Sequence, residues 1–290
     1  MVINREVKQI IQRAIEEDLG KRDITTFYLV DPAIKIKAKI IAKEDLVLCG
    51  LDVCRQTFKQ VDNGVKFRTV RKEGSLVKKG QVLAALEGRA FSIIKAERVA
   101  LNFLMHLSGI ASKTRKFVNI AAKYKVKVLD TRKTIPMLRV LQKSAVKAAG
   151  GFNHRKGLWD EVIIKENHLK ACGINIHDNR FEESLRNIIK NIKKATAKRV
   201  EVEVETFQEF KVACRCRPDV ILLDNFTPKK ARKAVQLRNK YFPGIKLEAS
   251  GGINLGNIEK FAKTRVDYIS IGSLTHSVQT KDMSLEIARA

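Results

Sequence analysis

Three places in the chain deliver cations that can act together. Val126 to Leu129 reads as a β-branched strand running into Asp130-Thr131-Arg132-Lys133-Thr134, a second strand ends in Lys165, and His154-Arg155 lies between them. A side chain at a strand end is held by the sheet, so Arg132, Lys133 and Lys165 are expected to aim at one place. Arginine offers a planar fork that matches carboxylate or phosphate, while lysine is a point charge suited to phosphate. The target these residues predict is a small molecule carrying several negative charges.

Two carboxylates, Glu203 and Asp224, fall at later strand ends of the same region. Either they pair with the cations, or they hold Mg²⁺ through water or stabilise positive charge developing on a sugar carbon. Lys246 to Asn254 reads as a strand, a turn at Ser250-Gly251-Gly252 and a helix start. Exposed N–H groups at such a turn make an anion cradle, although paired glycines also serve purely steric needs. Gly272, one strand later, strengthens the phosphate reading, because the late loops of a barrel often bind phosphate jointly. The five histidines are too dispersed for a zinc site. Cradle, cations and paired acids favour phosphoryl or pyrophosphate chemistry without a protein nucleophile.

The elements that must position these groups are regular from residue 126 onward. Strand-like segments occur at Val126 to Leu129, Val162 to Lys165, Val200 to Val204, Val220 to Leu223, Lys246 to Glu248 and Tyr268 to Ile271, with helical patterns between most of them. That is the spacing of βα units, which close readily into a barrel whose strand ends share one face. Upstream, Asn4 caps an amphipathic helix predicted to end near Gly20, and Ile34 to Ala42 alternates as a strand. Val70 to Glu87, with Gly74 and Gly80 at turns, suggests a small β-sandwich. Its glycine spacing is similar to that of a lipoyl carrier, but no lysine sits at a hairpin tip, so it reads as scaffold. From Ser92 an apolar helix is predicted to stop at Gly109. Arg98, on that helix, either pairs with an acid or reaches an anionic ligand.

Composition narrows the class. The 290 residues are 44% apolar throughout, enough for a full core and against disorder. Lysine and arginine number 57 against 31 acids, a net charge of +26, which raises nucleic-acid binding as a hypothesis. The basic residues are dispersed on the solvent face of apolar patterns such as Ile34 to Ile40, and aromatics are only 6%, so stacking platforms are scarce. A solvated basic surface, with no specific nucleic acid and no membrane partner, is the expectation. No apolar run approaches the ~20 residues of a membrane span. An amphipathic N-terminus and five scattered cysteines without a C-x-x-C pair point to a reduced cytoplasm.

Taken together, the motifs resemble those of the quinolinate phosphoribosyltransferase family. They are Glu17-Asp18-Leu19-Gly20 with Asp23-Ile24-Thr25-Thr26, Glu97-Arg98 to Asn102 with Leu107-Ser108-Gly109-Ile110-Ala111, and Asp130-Thr131-Arg132-Lys133-Thr134. Gly151-Phe152-Asn153-His154-Arg155, Ile164 to His168, Glu201-Val202-Glu203, Leu223-Asp224-Asn225, Glu248 to Ile253 and Gly272 to Ser277 follow in order. The resemblance implies an α/β fold: an N-terminal α/β sandwich over 1–112, joined by the tail 275–290, and an open, incomplete α/β barrel over 113–274. It implies decarboxylating transfer of phosphoribosyl from phosphoribosyl pyrophosphate (PRPP) to quinolinate in NAD biosynthesis. It also implies a homodimer, or hexamer of dimers, in which Arg98 enters the neighbour's site. Arg98, Arg132, His154, Arg155 and Lys165 would meet quinolinate. Lys133, Ser250, Gly251, Gly252, Gly272 and His276 would serve PRPP, and Mg²⁺ would associate with Glu203 and Asp224. The catalytic set expected on this basis is Lys133, Lys165, Glu203 and Asp224.

Where the family shows Pro-Gly-Leu-Arg, this chain has Pro136-Met137-Leu138-Arg139; Ser144 replaces a tyrosine and Ala149 the first of three glycines. The alternative readings are a paralogue found with molybdate-transport genes, acting on another substrate, and a basic nucleic-acid-binding protein without turnover.

Overall fold

The computed structural model describes residues 2–176 and 178–287, so Met1 and the last three positions of the expected tail lie outside the described residues. Twelve strands are present among them: β1 Lys35–Ala42, β2 Leu46–Val47, β3 Lys66–Thr69, β4 Leu76–Val77, β5 Val82–Arg89, β6 Lys127–Leu129, β7 Val162–Ile164, β8 Val200–Val204, β9 Val220–Asp224, β10 Lys246–Ser250, β11 Tyr268–Ser270 and β12 Met283–Ile287. The chain groups into two compact units. One holds the residues up to Arg115, Thr134–Gly150 and the tail from Leu274; the other holds Lys116–Lys133 and Gly151–Ser273.

The first unit is built on an antiparallel sheet in the order β12-β1-β5-β3, with β2 and β4 paired beside it. The lysine alternation of β1 does what a period of two requires: Lys35, Lys37 and Lys39 are exposed, while Ala38, Ile40 and Ala42 are buried. Leu48, Phe58, Leu83, Ile93 and Leu104 fill the core behind it. Asn4 caps the helix Arg5–Leu19 through Val7 N–H at 3.0 Å. The next helix, Ile24–Leu29, is capped by Asp23, which accepts Thr26 N–H at 2.9 Å. The apolar helix does not stop at Gly109; it runs continuously from Ala90 to Ala121. A Cβ at position 109 would run into the Gln279 carbonyl and stand 3.0 Å from Val278 Cγ1, so this glycine serves close packing and not termination.

The second unit carries six parallel strands in the order β6-β11-β10-β9-β8-β7. These strands are buried on both faces, as the run Val220 to Leu223 shows, because helices such as Phe207–Cys216 and Pro228–Tyr241 lie between them in sequence. The sheet is open between β6 and β7, where the Leu129–Phe152 bridge extends the β6 edge. At the amino ends of the strands Asp267 ties three segments together. It accepts Leu247 N–H at 2.9 Å, Arg238 Nη1 at 2.6 Å and Lys246 Nζ at 3.1 Å. Because every strand is parallel, the carboxyl ends share the opposite edge.

Candidate active site

That edge collects most of the residues singled out in the sequence. Arg132 and Lys133 follow β6; Lys165 follows β7 as the N-cap of the helix Glu166–Ala171. Glu203 lies near the end of β8, and Asp224 and Ser250 are the last residues of β9 and β10. Gly251 and Gly252 come next, and Gly272 stands two residues beyond β11. Arg98 and His276 belong to the other unit, and both are exposed.

Lys165 and Glu203 form a tight ion pair across the ends of adjacent strands, with 42% and 15% of their side chains exposed. The cation is therefore aimed from a fixed place, as a strand end predicts. Its backbone N–H donates to His168 Nδ1 at 3.0 Å, which locks the turn into the helix. Arg155 is buried, its Nη1 donating to the Glu161 carbonyl at 3.2 Å. Burial and then the neighbouring Arg132 guanidinium lower its proton affinity, and the acids Glu201, Glu161 and Glu203 oppose that. The Arg132 charge thus bears on Arg155, and two guanidiniums so coupled suit an anion with two carboxylates.

The glycine turn is locked to the acids beside it. Gly251 has φ +93°, and a Cβ there would collide with Asn225 Oδ1 and lie 2.9 Å from Asn225 N. Asn225, at φ +53°, donates its N–H to the Ser250 carbonyl at 2.9 Å and its Nδ2 to Asp224 Oδ2 at 2.8 Å. Gly252, at φ +59°, has open space where a Cβ would go, and its carbonyl accepts Asn257 Nδ2 at 3.0 Å. The helix begins only at Ile258, later than the expected start, because Asn254 and Asn257 side chains close the intervening turns.

Glu203 and Asp224 present half-buried oxygen donors on neighbouring strands. Around them, burial and then the charges of Glu166, Asp224, Glu209 and Glu203 raise the Glu205 carboxyl. This local excess of negative charge suits Mg²⁺, which takes one or two carboxylates and completes its shell with water and substrate phosphates.

Three buried acids stand in the motifs quoted above with no role assigned to them there. Asp130 accepts His154 N–H at 2.9 Å and Asn153 Nδ2 at 2.5 Å, pinning the segment before Arg155. Glu201 and Glu248 flank the His154 ring, with Nε2 at 3.3 Å from Glu201 Oε2 and 3.4 Å from Glu248 Oε1. His154 is thus turned inward among carboxylates. Burial would depress its proton affinity, but the two acids outweigh burial and raise it to about 10. Burial, then the Glu248 charge, likewise raises Glu201. An imidazolium between two carboxylates and a neutral ring beside a protonated Glu201 carry the same net charge. Arg155 N–H donates to Nδ1 at 2.7 Å, which favours the second, with the ring proton on Nε2. A signal for these acids was present: a charged residue in the middle of a buried strand needs a partner.

Residues 23–108 match the N-terminal domain of the quinolinate phosphoribosyl transferase family, and residues 110–286 match its C-terminal domain. The chain belongs to the quinolinate phosphoribosyl transferase family. It is 40% identical to a probable nicotinate-nucleotide pyrophosphorylase [carboxylating] of Methanocaldococcus jannaschii, over 97% of each chain. It is 37% identical to the Bacillus subtilis protein of the same name, over 97% of this chain and 93% of that one. Among solved structures, the Francisella tularensis nicotinate-nucleotide pyrophosphorylase superimposes with a TM-score of 0.90 at 35% identity, covering 99% of this chain and 98% of that one.

Of the departures from the family pattern, Met137 is conformationally costly: it is exposed, at φ +65°, where a glycine would be at ease. Ala149 is buried at φ −86° without strain, and Ser144 is satisfied by donating to the Val140 carbonyl at 2.8 Å.

Proposed function

We propose that this chain transfers phosphoribosyl from PRPP to quinolinate and releases nicotinate mononucleotide, CO₂ and pyrophosphate, a step of NAD biosynthesis. The observation that carries the reading is the gathering of Arg132, Arg155 and Lys165, the Gly251 turn and two acids on one edge of one parallel sheet. Family membership over nearly the whole chain supports it.

In this reading Arg132, Arg155 and Lys165 hold quinolinate's two carboxylates, with His154 on the same loop and Arg98 supplied by a second copy of the chain. Lys133, Ser250, Gly251, Gly252 and Gly272 receive PRPP. The pyridine nitrogen attacks the anomeric carbon as its bond to pyrophosphate oxygen breaks, and the positive charge of the sugar is stabilised by Glu203 and Asp224. Glu203 and Asp224 would hold Mg²⁺, which when bound would supply positive charge to neutralise the leaving pyrophosphate. The C2–carboxylate bond then breaks as CO₂ leaves; its electron pair stays on the ring, stabilised by the quaternary nitrogen, and a proton from water replaces it. Burial of Arg155 keeps competing anions and water from the carboxylates.

A homodimer, or a hexamer of dimers, in the cytoplasm is part of the proposal. It is supported by the exposed Arg98 and by exposed Ile24, Tyr28 and Leu29 on the helix Ile24–Leu29. No helix among the described residues is long and apolar enough to cross a membrane. Mixing Arg98→Ala with Lys165→Ala protein tests the shared site. Activity is expected to return in heterodimers, and inactive heterodimers would mean that each site is built from one chain.

A further inference from the structure

Beneath the strand-end cations His154 meets Glu201 and Glu248, two acids that the proposed chemistry leaves without a task. Glu201 and Glu248 are 1% and 0% exposed, and none of their four carboxylate oxygens makes a hydrogen bond of ordinary geometry. Both face His154 Nε2, at 3.3 and 3.4 Å. Two buried acids so placed require a shared proton or positive charge nearby. A divalent metal is one candidate, since the three donors lie within 4.8 Å of one another. Ligation through Nε2 would need the ring proton on Nδ1, yet Arg155 N–H points at Nδ1 from 2.7 Å. The geometry therefore favours an Nε2–H facing the acids over a metal ion.

The same contact links the cluster to the substrate cations. The His154 ring is held by the two glutamates at one nitrogen, and its other nitrogen receives the backbone N–H of Arg155. Asp130 fixes the preceding backbone through His154 N–H at 2.9 Å. Arg155 is buried beside Arg132, which repels it, and Glu201 is the foremost acid opposing that repulsion.

We propose that Glu201 and Glu248 are positioning residues for quinolinate. By clamping the His154 ring they fix the backbone from which Arg155 reaches, and the one negative charge that the cluster retains helps to keep the Arg132 and Arg155 guanidiniums together in the absence of substrate. The inference rests on the reading of the site given above and deepens it. These acids never touch quinolinate; they act through His154 and Arg155, as the groups that orient a ligand-binding side chain do.

The test uses the full chain with Glu201→Gln, Glu248→Gln and the double variant, which preserve shape and remove charge. The double variant is expected to raise KM for quinolinate about 10–100-fold, the usual cost of losing an orienting partner. KM for PRPP and kcat are expected to stay within a few-fold, and each single variant to fall between. In ¹⁵N-arginine-labelled protein, the Arg155 Nε–H resonance, assigned by its loss in Arg155→Lys, is expected to be sharp in the parent and broadened in the double variant. Unchanged quinolinate KM with an unchanged resonance overturns the proposal, as does an equal loss for both substrates or one equivalent of tightly held metal in the parent. If the double variant does not fold, Glu201→Asp, which draws the oxygens back from the ring, is read by the same two measurements. Should the parent not turn over quinolinate at all, the reading of the reaction fails, and the resonance alone still decides whether the acids hold Arg155.

Discussion

Glu203 holds Lys165 in an ion pair across the ends of β7 and β8, so the acid proposed to meet Mg²⁺ also positions a cation proposed to meet quinolinate. The two substrates' sites are thereby coupled through one carboxylate. Lys165→Ala is expected to lower kcat/KM for quinolinate about 100-fold, some 2.7 kcal/mol, without loss of fold. Glu203→Gln is expected to raise both the Mg²⁺ requirement and the quinolinate KM. Steady-state kinetics with each component varied checks this, and a Glu203→Gln effect confined to one of the two would uncouple the sites.

Gly251 and Gly252 make a contrasting pair. In Gly251→Ala the new Cβ meets Asn225, which is bonded to Asp224, so PRPP-dependent activity is expected to fall at least tenfold. Gly252→Ala has room and is expected to cost only about 1 kcal/mol, from its φ of +59°. Equal activity in the two variants would remove the turn from the site.

Met137 occupies a left-handed backbone position without a side chain suited to it. Relief of about 1–2 kcal/mol of strain, less about 0.5–1 kcal/mol for the freedom glycine has when unfolded, leaves Met137→Gly more stable by up to about 1.5 kcal/mol. A higher urea midpoint with unchanged slope is the expected result; a lower midpoint would contradict it.

The proton shared by His154, Glu201 and Glu248 ties stability to pH. It is held in the folded chain up to about 10, whereas a free histidine releases its proton near ~6.5. Between those values unfolding releases a proton, so stability is fully present below the lower one and is lost as pH rises toward the upper. Tm is expected to fall from pH 7 to pH 10, and to fall less steeply in His154→Asn. Parallel profiles for the two proteins would show that the group is not linked to folding.

Much of this was legible in the sequence, and the exceptions have physical causes. The period-two lysines of β1 and the βα spacing after Val126 report burial directly, and the strand ends follow from them. The Gly109 stop failed because a glycine needed for close packing against Gln279 looks, in sequence, like a helix terminator. The helix Ile24–Leu29 is too short to show a periodicity, and only its Asp23 cap marks it in the sequence. The role of Glu201 and Glu248 was missed for a different reason: their partner His154 lies 47 or more positions away, and no spacing along the chain reveals a contact made across the folded sheet.

The most direct test is incubation of the purified protein with quinolinate, PRPP and Mg²⁺, following nicotinate mononucleotide, CO₂ and pyrophosphate together. Equal amounts of all three, with none formed without Mg²⁺, is the result expected. Folded protein that binds neither substrate, or that consumes PRPP without releasing CO₂, would contradict the assignment of the site to decarboxylating phosphoribosyl transfer.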